Sequence, residues 1–248
     1  IAAATNEHAW NGMYYLRALS KYGTVGDSAP VYINPQSWAI LGDVVPADRL
    51  STLLDSIDRY ETPEGIRLCS PAYETYDPAV GRMSGMRPGA YENGGIYNHA
   101  CGFKVMADCK LGRAENALRT LLAMIPDSSE HNPTELTTTE PFVFTNCYLQ
   151  NRTENMMVGF SWQTGSSAWG LRSFYEGILG LTRTYDGLRV MPCLPKEWDE
   201  IRAVRHYRGS ELHLHYVRGS ADGTVLYVDG KPMDGNVICP FGDHAIHE

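Results

Sequence analysis

Apolar residues recur at helical spacing through most of the first 184 positions and at strand spacing beyond them. Residues 10–19 (WNGMYYLRAL) place apolar side chains three and four apart, which predicts a helix. Residues 34–41 open with Asn34 and Pro35, a cap followed by proline at the first helical position. Pro46 starts another segment, in which Leu50, Leu53, Leu54 and Ile57 form one stripe. Residues 96–111 predict a helix closed by Gly112, and residues 113–125 a second, carrying Ala117, Leu118, Leu121 and Leu122. Residues 140–149 are apolar and aromatic and read as helical. Residues 166–181 predict a long amphipathic helix through Trp169, Leu171, Phe174, Ile178 and Leu179. Between these lie two loops: residues 64–91, rich in Gly, Pro and Tyr, and the polar residues 126–138.

The pattern changes near Tyr185. Short β-type runs follow at 188–192, 201–208, 211–217 and 224–228, broken by Gly209-Ser210, Asp222-Gly223 and Asp229-Gly230. Within 211–217, Leu212, Leu214 and Tyr216 share one face, and His213 and His215 the other. The fold class expected is therefore mainly α. Residues 1–184 form paired helices with long connections, the organisation of part of an α/α barrel, and residues 185–248 form a small antiparallel β domain. No tight repeat marks the barrel in the sequence.

Composition narrows the function classes. The 248 residues are 43% hydrophobic, enough for a sizeable core. The net charge of -8 argues against a nucleic-acid or anionic-membrane surface, which needs a basic field, but allows a local basic pocket. Six cysteines (Cys69, Cys101, Cys109, Cys147, Cys193 and Cys239) include no C-x-x-C pair, so reduced buried thiols are expected rather than a zinc or redox motif. No stretch is apolar enough to span a membrane and no signal peptide is visible, so a cytoplasmic location is expected. The 15 Tyr and 5 Trp suit sugar stacking as well as a helical core.

Three constellations carry chemistry. Tyr91-Glu92-Asn93-Gly94-Gly95-Ile96-Tyr97-Asn98-His99 joins a loop to a helix start. Its glycines allow close backbone approach to a ligand, and a helix start with a histidine suits an oxyanion such as phosphate. The competing reading is a tight turn, with Glu92 as a favourable N-terminal charge and His99 as a core histidine. Ser161-Trp162-Gln163-Thr164-Gly165-Ser166 again opens a helix: Thr164 offers a hydroxyl and Gly165 a bare N–H, or the segment is a Ser/Thr cap. It is not a phosphate-binding Gly-Lys-Ser/Thr loop. Glu140 lies in TTTEPFVF at 137–144, to bond sugar hydroxyls or to cap a helix; Gln36 and Trp38 either line a sugar pocket or begin a helix. His213 and His215 lack a third ligand at suitable spacing, so no metal site is expected.

Taken in order, NPQSWA at 34–39, ENGGIYNH at 92–99, EPFVF at 140–144, SWQTGSSAW at 161–169 and EGILGLTRTYDGLRVMPCLPKEW at 176–198 resemble glycoside hydrolase family 94. That family contains cellobiose, chitobiose, cellodextrin and cellobionic acid phosphorylases and the phosphorylase region of cyclic β-1,2-glucan synthases. The resemblance covers nearly all of residues 10–208. It implies part of an (α/α)6 barrel followed by a small β domain. It implies attack of inorganic phosphate on a β-linked disaccharide or short β-glucan with inversion, giving an α-sugar 1-phosphate. Phosphate is then a co-substrate, and no metal or organic cofactor is implied. His99, Thr164 and Gly165 match the phosphate-binding positions; Glu92 matches a sugar-contacting carboxylate, with Gln36 and Glu140 as weaker sugar-site matches. The family's Asp general acid lies in a Trp-Asn-Asp type motif, whereas Trp10-Asn11 is followed here by Gly12. The acid is therefore expected upstream, in a missing N-terminal part of the same enzyme, and a homodimer is expected. The alternatives are a glucan hydrolase or synthase of the same fold and a non-catalytic carbohydrate-binding fragment.

Overall fold

The computed structural model describes residues 1–21, 23–28, 30–127, 134–150, 156–162, 164–219 and 224–248. Its helices are α1 (Ala2–His8), α2 (Ile33–Leu41), α3 (Ala47–Asp58), α4 (Asn98–Lys110), α5 (Ala114–Ala123), the single turn α6 (Thr134–Thr137) and α7 (Ser166–Arg172), which runs on as a π-helical stretch over Ser173–Ile178. Helix α4 is the hub, packing against α2, α5, α7 and the π stretch. It holds this place because its small residues allow close contact: a Cβ on Gly102 would stand 2.9 Å from the Cβ of Trp169 in α7. It stops where the pattern predicts. Gly112 takes φ +72, and the Arg113 N–H turns back to the Asp108 carbonyl at 2.9 Å.

The helical core collects Leu53 and Ile57 of α3, Ala100, Cys101 and Val105 of α4, Ala117 and Leu121 of α5, and Met124, Tyr148 and Ile178. Full burial of each large apolar side chain contributes about 1.5–3 kcal/mol. One charged group lies among them. Lys104 is 1% exposed and meets Glu61 and Asp108 at 2.5 Å each. Arg119 pairs with the same Glu61, and Arg113 reaches Asp108 at 3.1 Å. Burial alone would raise the Glu61 carboxyl, but Lys104 and Arg119 bring it below its usual range. At Asp108 burial prevails and the carboxyl is raised.

The C-terminal part consists of short strands paired mostly antiparallel, with one exception to the expected pattern: Ser210–Val217 pairs in parallel with Ile246–His247. Glu200–Tyr207 pairs with Ser210–Val217 over eight registered positions, and Leu181–Arg183 pairs with Leu188–Val190. Leu212 and Tyr216 face a second core with Leu179, Leu181, Leu188, Val190, Tyr207 and Ile238. Phe174 and Leu194 pack against both cores. The Asp229-Gly230 turn connects Tyr227–Val228 to Lys231–Pro232, while Asp222-Gly223 lies outside the described residues.

The fold is mixed rather than mainly α, and the departures have local causes. Residues 10–19 are not a helix. Asn11 Oδ1 accepts the N–H groups of Met13 and Tyr14 at 3.0 and 2.9 Å, Gly12 sits at φ +101, and Trp10 bridges Tyr15. This Asx turn outweighs the apolar spacing. Residues 140–149 are not helical either: Cys147–Gln150 is a strand, and Phe142 is left-handed at φ +62. Helix α2 starts two residues early, at Ile33, so Asn34 is not its cap. Pro35 remains in the first turn, where a missing N–H is tolerated. Among the described residues no helix is long and apolar enough to cross a membrane.

Candidate functional site

A small sheet brings two distant segments together. Cys147–Gln150 pairs antiparallel with Ile96–Tyr97 on one side and Met156–Val158 on the other. The pairing continues past the strand ends: Thr145 bridges Ser161, and the Asn146 N–H donates to Phe160 O at 2.7 Å. The chain therefore leaves the sheet near one place twice, after Tyr97 to become α4 and after Ser161 to become α7. Asn98 locks the first exit. It is fully buried, and its side-chain amide donates to the carbonyl and hydroxyl of Thr145 at 3.1 and 2.9 Å.

His99, Thr164 and Gly165 meet at these two helix starts. His99 Nδ1 lies 3.4 Å from Ser166 Oγ. Ser166 is fully buried, and its hydroxyl is 2.7 Å from that of Thr164, which in turn accepts the Ser166 N–H at 3.0 Å. Thr164 thus has the capping role as well as its place in the cluster. Gly165 lies against the other imidazole nitrogen: a Cβ there would stand 2.7 Å from His99 Nε2. Only glycine lets the imidazole pack this close to the backbone. Burial holds the His99 pKa below its ordinary value, so the ring is neutral near pH 7 and carries one N–H. The cluster combines an imidazole, a hydroxyl and first-turn N–H groups that have no intrahelical partner, at the positive ends of two helices. Such a set can hold an oxyanion.

Glu92 lies in the loop just before the Ile96–Tyr97 strand and is partly buried. Its carboxylate oxygens make no hydrogen bond among the described residues. The carboxylate faces the Tyr97 hydroxyl and the Cys147 thiol. Each is pushed up to about 12, first by burial and then by the Glu92 charge. The glycines beside it are occupied differently from the expectation. Gly94, at φ +85, would drive a Cβ to 2.8 Å from that of Ala72, and Gly95 to 2.5 Å from the Tyr91 carbonyl oxygen. They serve the packing of their own loop, which buried Asn93 ties to Tyr73 and Met86.

The remaining expected positions divide. Gln36 is fully buried: its oxygen accepts the Tyr15 N–H, and its nitrogen donates to the Tyr15 and Tyr32 carbonyls, each at 2.8 Å. All of its polar capacity is spent inside the fold, so it faces no open pocket. Trp38 joins Phe103 and Trp169 in an aromatic cluster, with centroids 5.1 and 6.3 Å from its own. That cluster lies about one turn along α4 and α7 from His99 and Ser166. Glu140 caps no helix. Its carboxylate accepts the Thr139 hydroxyl and the Trp162 indole N–H, each at 3.1 Å. Its pKa is held below the usual carboxylate value, first by its own backbone N–H and then by Trp162 and Thr139. His213 and His215 pair with Glu211 at 2.6 Å and Glu200 at 2.8 Å. Sequence reasoning missed Ser166 and the Glu140–Trp162 link. The first sits inside a recognised motif, and the second has no local signal.

An imidazole, hydroxyls and helix-start N–H groups, with a carboxylate and exposed aromatic rings in neighbouring segments, are compatible with a carbohydrate-active catalytic domain. The family comparison places it: residues 1–180 match the model described as Glycosyl hydrolase 94 superfamily, catalytic domain, and the chain belongs to that family. It is 34% identical over 258 residues to the solabiose phosphorylase of Paenibacillus borealis, an alignment covering 100% of this chain and 33% of that protein. It is 32% identical over 242 residues to the 3-O-beta-D-glucopyranosyl-beta-D-glucuronide phosphorylase of the same organism, covering 93% and 31%. It is 29% identical over 228 residues to the cellobionic acid phosphorylase of Neurospora crassa, covering 88% and 29%. The chain spans about a third of the length of these curated relatives.

Proposed function

We propose that this chain carries the phosphate-binding part of a glycoside phosphorylase that cleaves a β-linked disaccharide or short β-glucan with inversion, giving an α-sugar 1-phosphate. The observation that carries the reading is the meeting of His99, Thr164 and Gly165 at two adjacent helix starts. Phosphate bound at these helix starts accepts the Nε2–H of a neutral imidazole, the Gly165 N–H and the Thr164 hydroxyl, whose single proton turns from Ser166 Oγ to the ligand. Ser166 supports the tautomer by donating to Nδ1. The bound phosphate is already anionic and attacks the anomeric carbon unaided, whereas a hydrolase working by inversion needs a second carboxylate to activate water. Glu92, whose oxygens make no hydrogen bond among the described residues, bonds sugar hydroxyls near that carbon.

The leaving oxygen needs a proton donor. The Trp10-Asn11-Gly12 segment does not supply one. Asn11 is an amide whose nitrogen donates to the Asp27 carbonyl at 2.9 Å and whose oxygen closes the turn. The reading therefore assigns the acid to sequence outside these 248 residues. The test uses the complete protein with a panel of β-linked disaccharides, including cellobiose, chitobiose and cellobionic acid, with and without inorganic phosphate. Sugar 1-phosphate that forms only when phosphate is present is the expected result. Reducing sugar released equally without phosphate identifies a hydrolase and overturns the proposal.

A further inference from the structure

Trp162 combines an exposed ring with a constrained backbone. It is 73% exposed, although its backbone is left-handed at φ +68, a conformation that bulky residues rarely adopt. Such a conformation persists where the surroundings over-determine it, and it concentrates at ligand sites. Core packing does not explain it, because the ring lies outside the core. A hydrogen bond does hold it: the indole N–H donates to Glu140 Oε1 at 3.1 Å, and the other Glu140 oxygen is fixed by the Thr139 hydroxyl at 3.1 Å. The polar edge of the indole is pinned while the ring stays open. Thr164 follows two residues later in the chain. Phe142 is also left-handed and 72% exposed, and Phe160, 48% exposed, lies 5.9 Å from Tyr91.

We propose that Trp162 is a stacking platform for a pyranose ring of the substrate, and that Glu140 is a positioning residue that sets the platform rather than a direct sugar ligand. This rests on the phosphorolysis reading. The occupant follows from the reaction, because phosphate attacks a ring carbon and so the sugar ring must lie within one bond length of the phosphate. The C–H face of a β-pyranoside is apolar and flat enough to cover an indole, while its equatorial hydroxyls reach sideways to polar neighbours such as Glu92.

The test is steady-state kinetics on the complete protein, with disaccharide and phosphate varied separately. Trp162→Ala is expected to raise the disaccharide KM about ten-fold while leaving the phosphate KM within about two-fold; Trp162→Phe retains most of the affinity. Glu140→Ala moves the disaccharide KM the same way. Glu140→Gln, which keeps a carbonyl to accept the indole N–H, restores it. Circular dichroism and thermal melting show that each variant is folded. If the wild type is phosphate-dependent but Trp162→Ala has an unchanged disaccharide KM, the platform is refuted and phosphorolysis stands. If Trp162→Ala instead fails to fold while Trp162→Phe is folded and kinetically normal, the ring is packing against other protein and the platform is again refuted. If the wild type forms no sugar phosphate from any disaccharide of the panel, both readings fall together.

Discussion

Replacing Gly165 by alanine is the sharpest probe of the cluster, because the structure fixes what the added methyl meets. The new Cβ would lie 2.7 Å from His99 Nε2 and 3.5 Å from its Cε1, where ordinary contact begins at 3.4 Å. The imidazole or the loop must therefore move by about 0.7 Å. Gly165 has φ -87 and ψ 4, so alanine meets no left-handed strain. The lower capping preference of alanine and the smaller entropy of its unfolded chain oppose each other, leaving a net stability change within about 1 kcal/mol. Function should respond far more. A displacement near 1 Å at a reacting group can reduce rate about 100-fold. The expected loss in kcat/KM for phosphate is therefore about 10- to 50-fold, or roughly 1.4–2.3 kcal/mol of transition-state stabilisation. The assay measures initial rates in the complete protein against phosphate at saturating disaccharide, with thermal melting alongside. A double-mutant cycle completes it: if alanine at 165 acts through His99, it adds little once His99 is already alanine. Unchanged phosphate kinetics, or fully additive losses, would refute the assignment of Gly165 as the spacer of His99.

Two further outcomes follow. Lys104→Met leaves Glu61 and Asp108 buried with only their arginine partners, and is expected to destabilise the protein by about 3 kcal/mol in urea titration, the scale of a broken buried pair. Because Lys104 and Arg119 hold the Glu61 carboxyl below its usual range, Glu61 adds stability above the unfolded carboxylate pKa and loses it as pH falls through the folded value. In Lys104→Met the folded value moves up toward the unfolded one, so this acid-limb loss should shrink, whereas an unchanged acid limb would remove Lys104 as its cause. His99 should titrate below 6.5 in the phosphate-free protein by histidine NMR, since burial disfavours its charged form, and should rise when phosphate binds. With the folded value below the unfolded one, this residue's contribution to stability declines as pH falls below about 6.5. A phosphate-free value above 6.5 would contradict the neutral imidazole on which the donor arrangement depends.

The parts of the fold legible in the sequence are those whose signal is local. Gly112 closes α4 because a left-handed residue is needed there, and the alternation of Leu212, Leu214 and Tyr216 against His213 and His215 marks one buried face. The misread segments are those where turn chemistry competes with apolar spacing. Asn11 and Gly12 break residues 10–19, and beyond left-handed Phe142 the chain from Cys147 to Gln150 pairs as a strand. The backbone of the loop connections also proved less irregular than their composition suggested. Val31–Tyr32 pairs with Cys69–Ser70, and Glu61–Thr62 with Gly65–Ile66, in two-residue ladders too short to leave a periodic trace.

The candidate site shows the same division at the level of side chains. His99 and Thr164 were legible because each follows a glycine- or hydroxyl-rich turn at a helix start, and the physics of such a start is contained in a few consecutive residues. What brings them together is not local: Ser166 joins His99 across 67 positions, and the strand partners that align the two exits are about 50 apart. Gln36 and Glu140 illustrate the converse. A polar residue in a recognised motif is ambiguous between facing a ligand and facing the protein, and only its partners decide. Gln36 has three, all main-chain groups inside the core. Glu140 has Thr139 and Trp162, and Trp162 is exposed. The first spends its amide on main-chain groups. The second is bound to the indole N–H of an exposed ring, the arrangement on which the proposed platform rests.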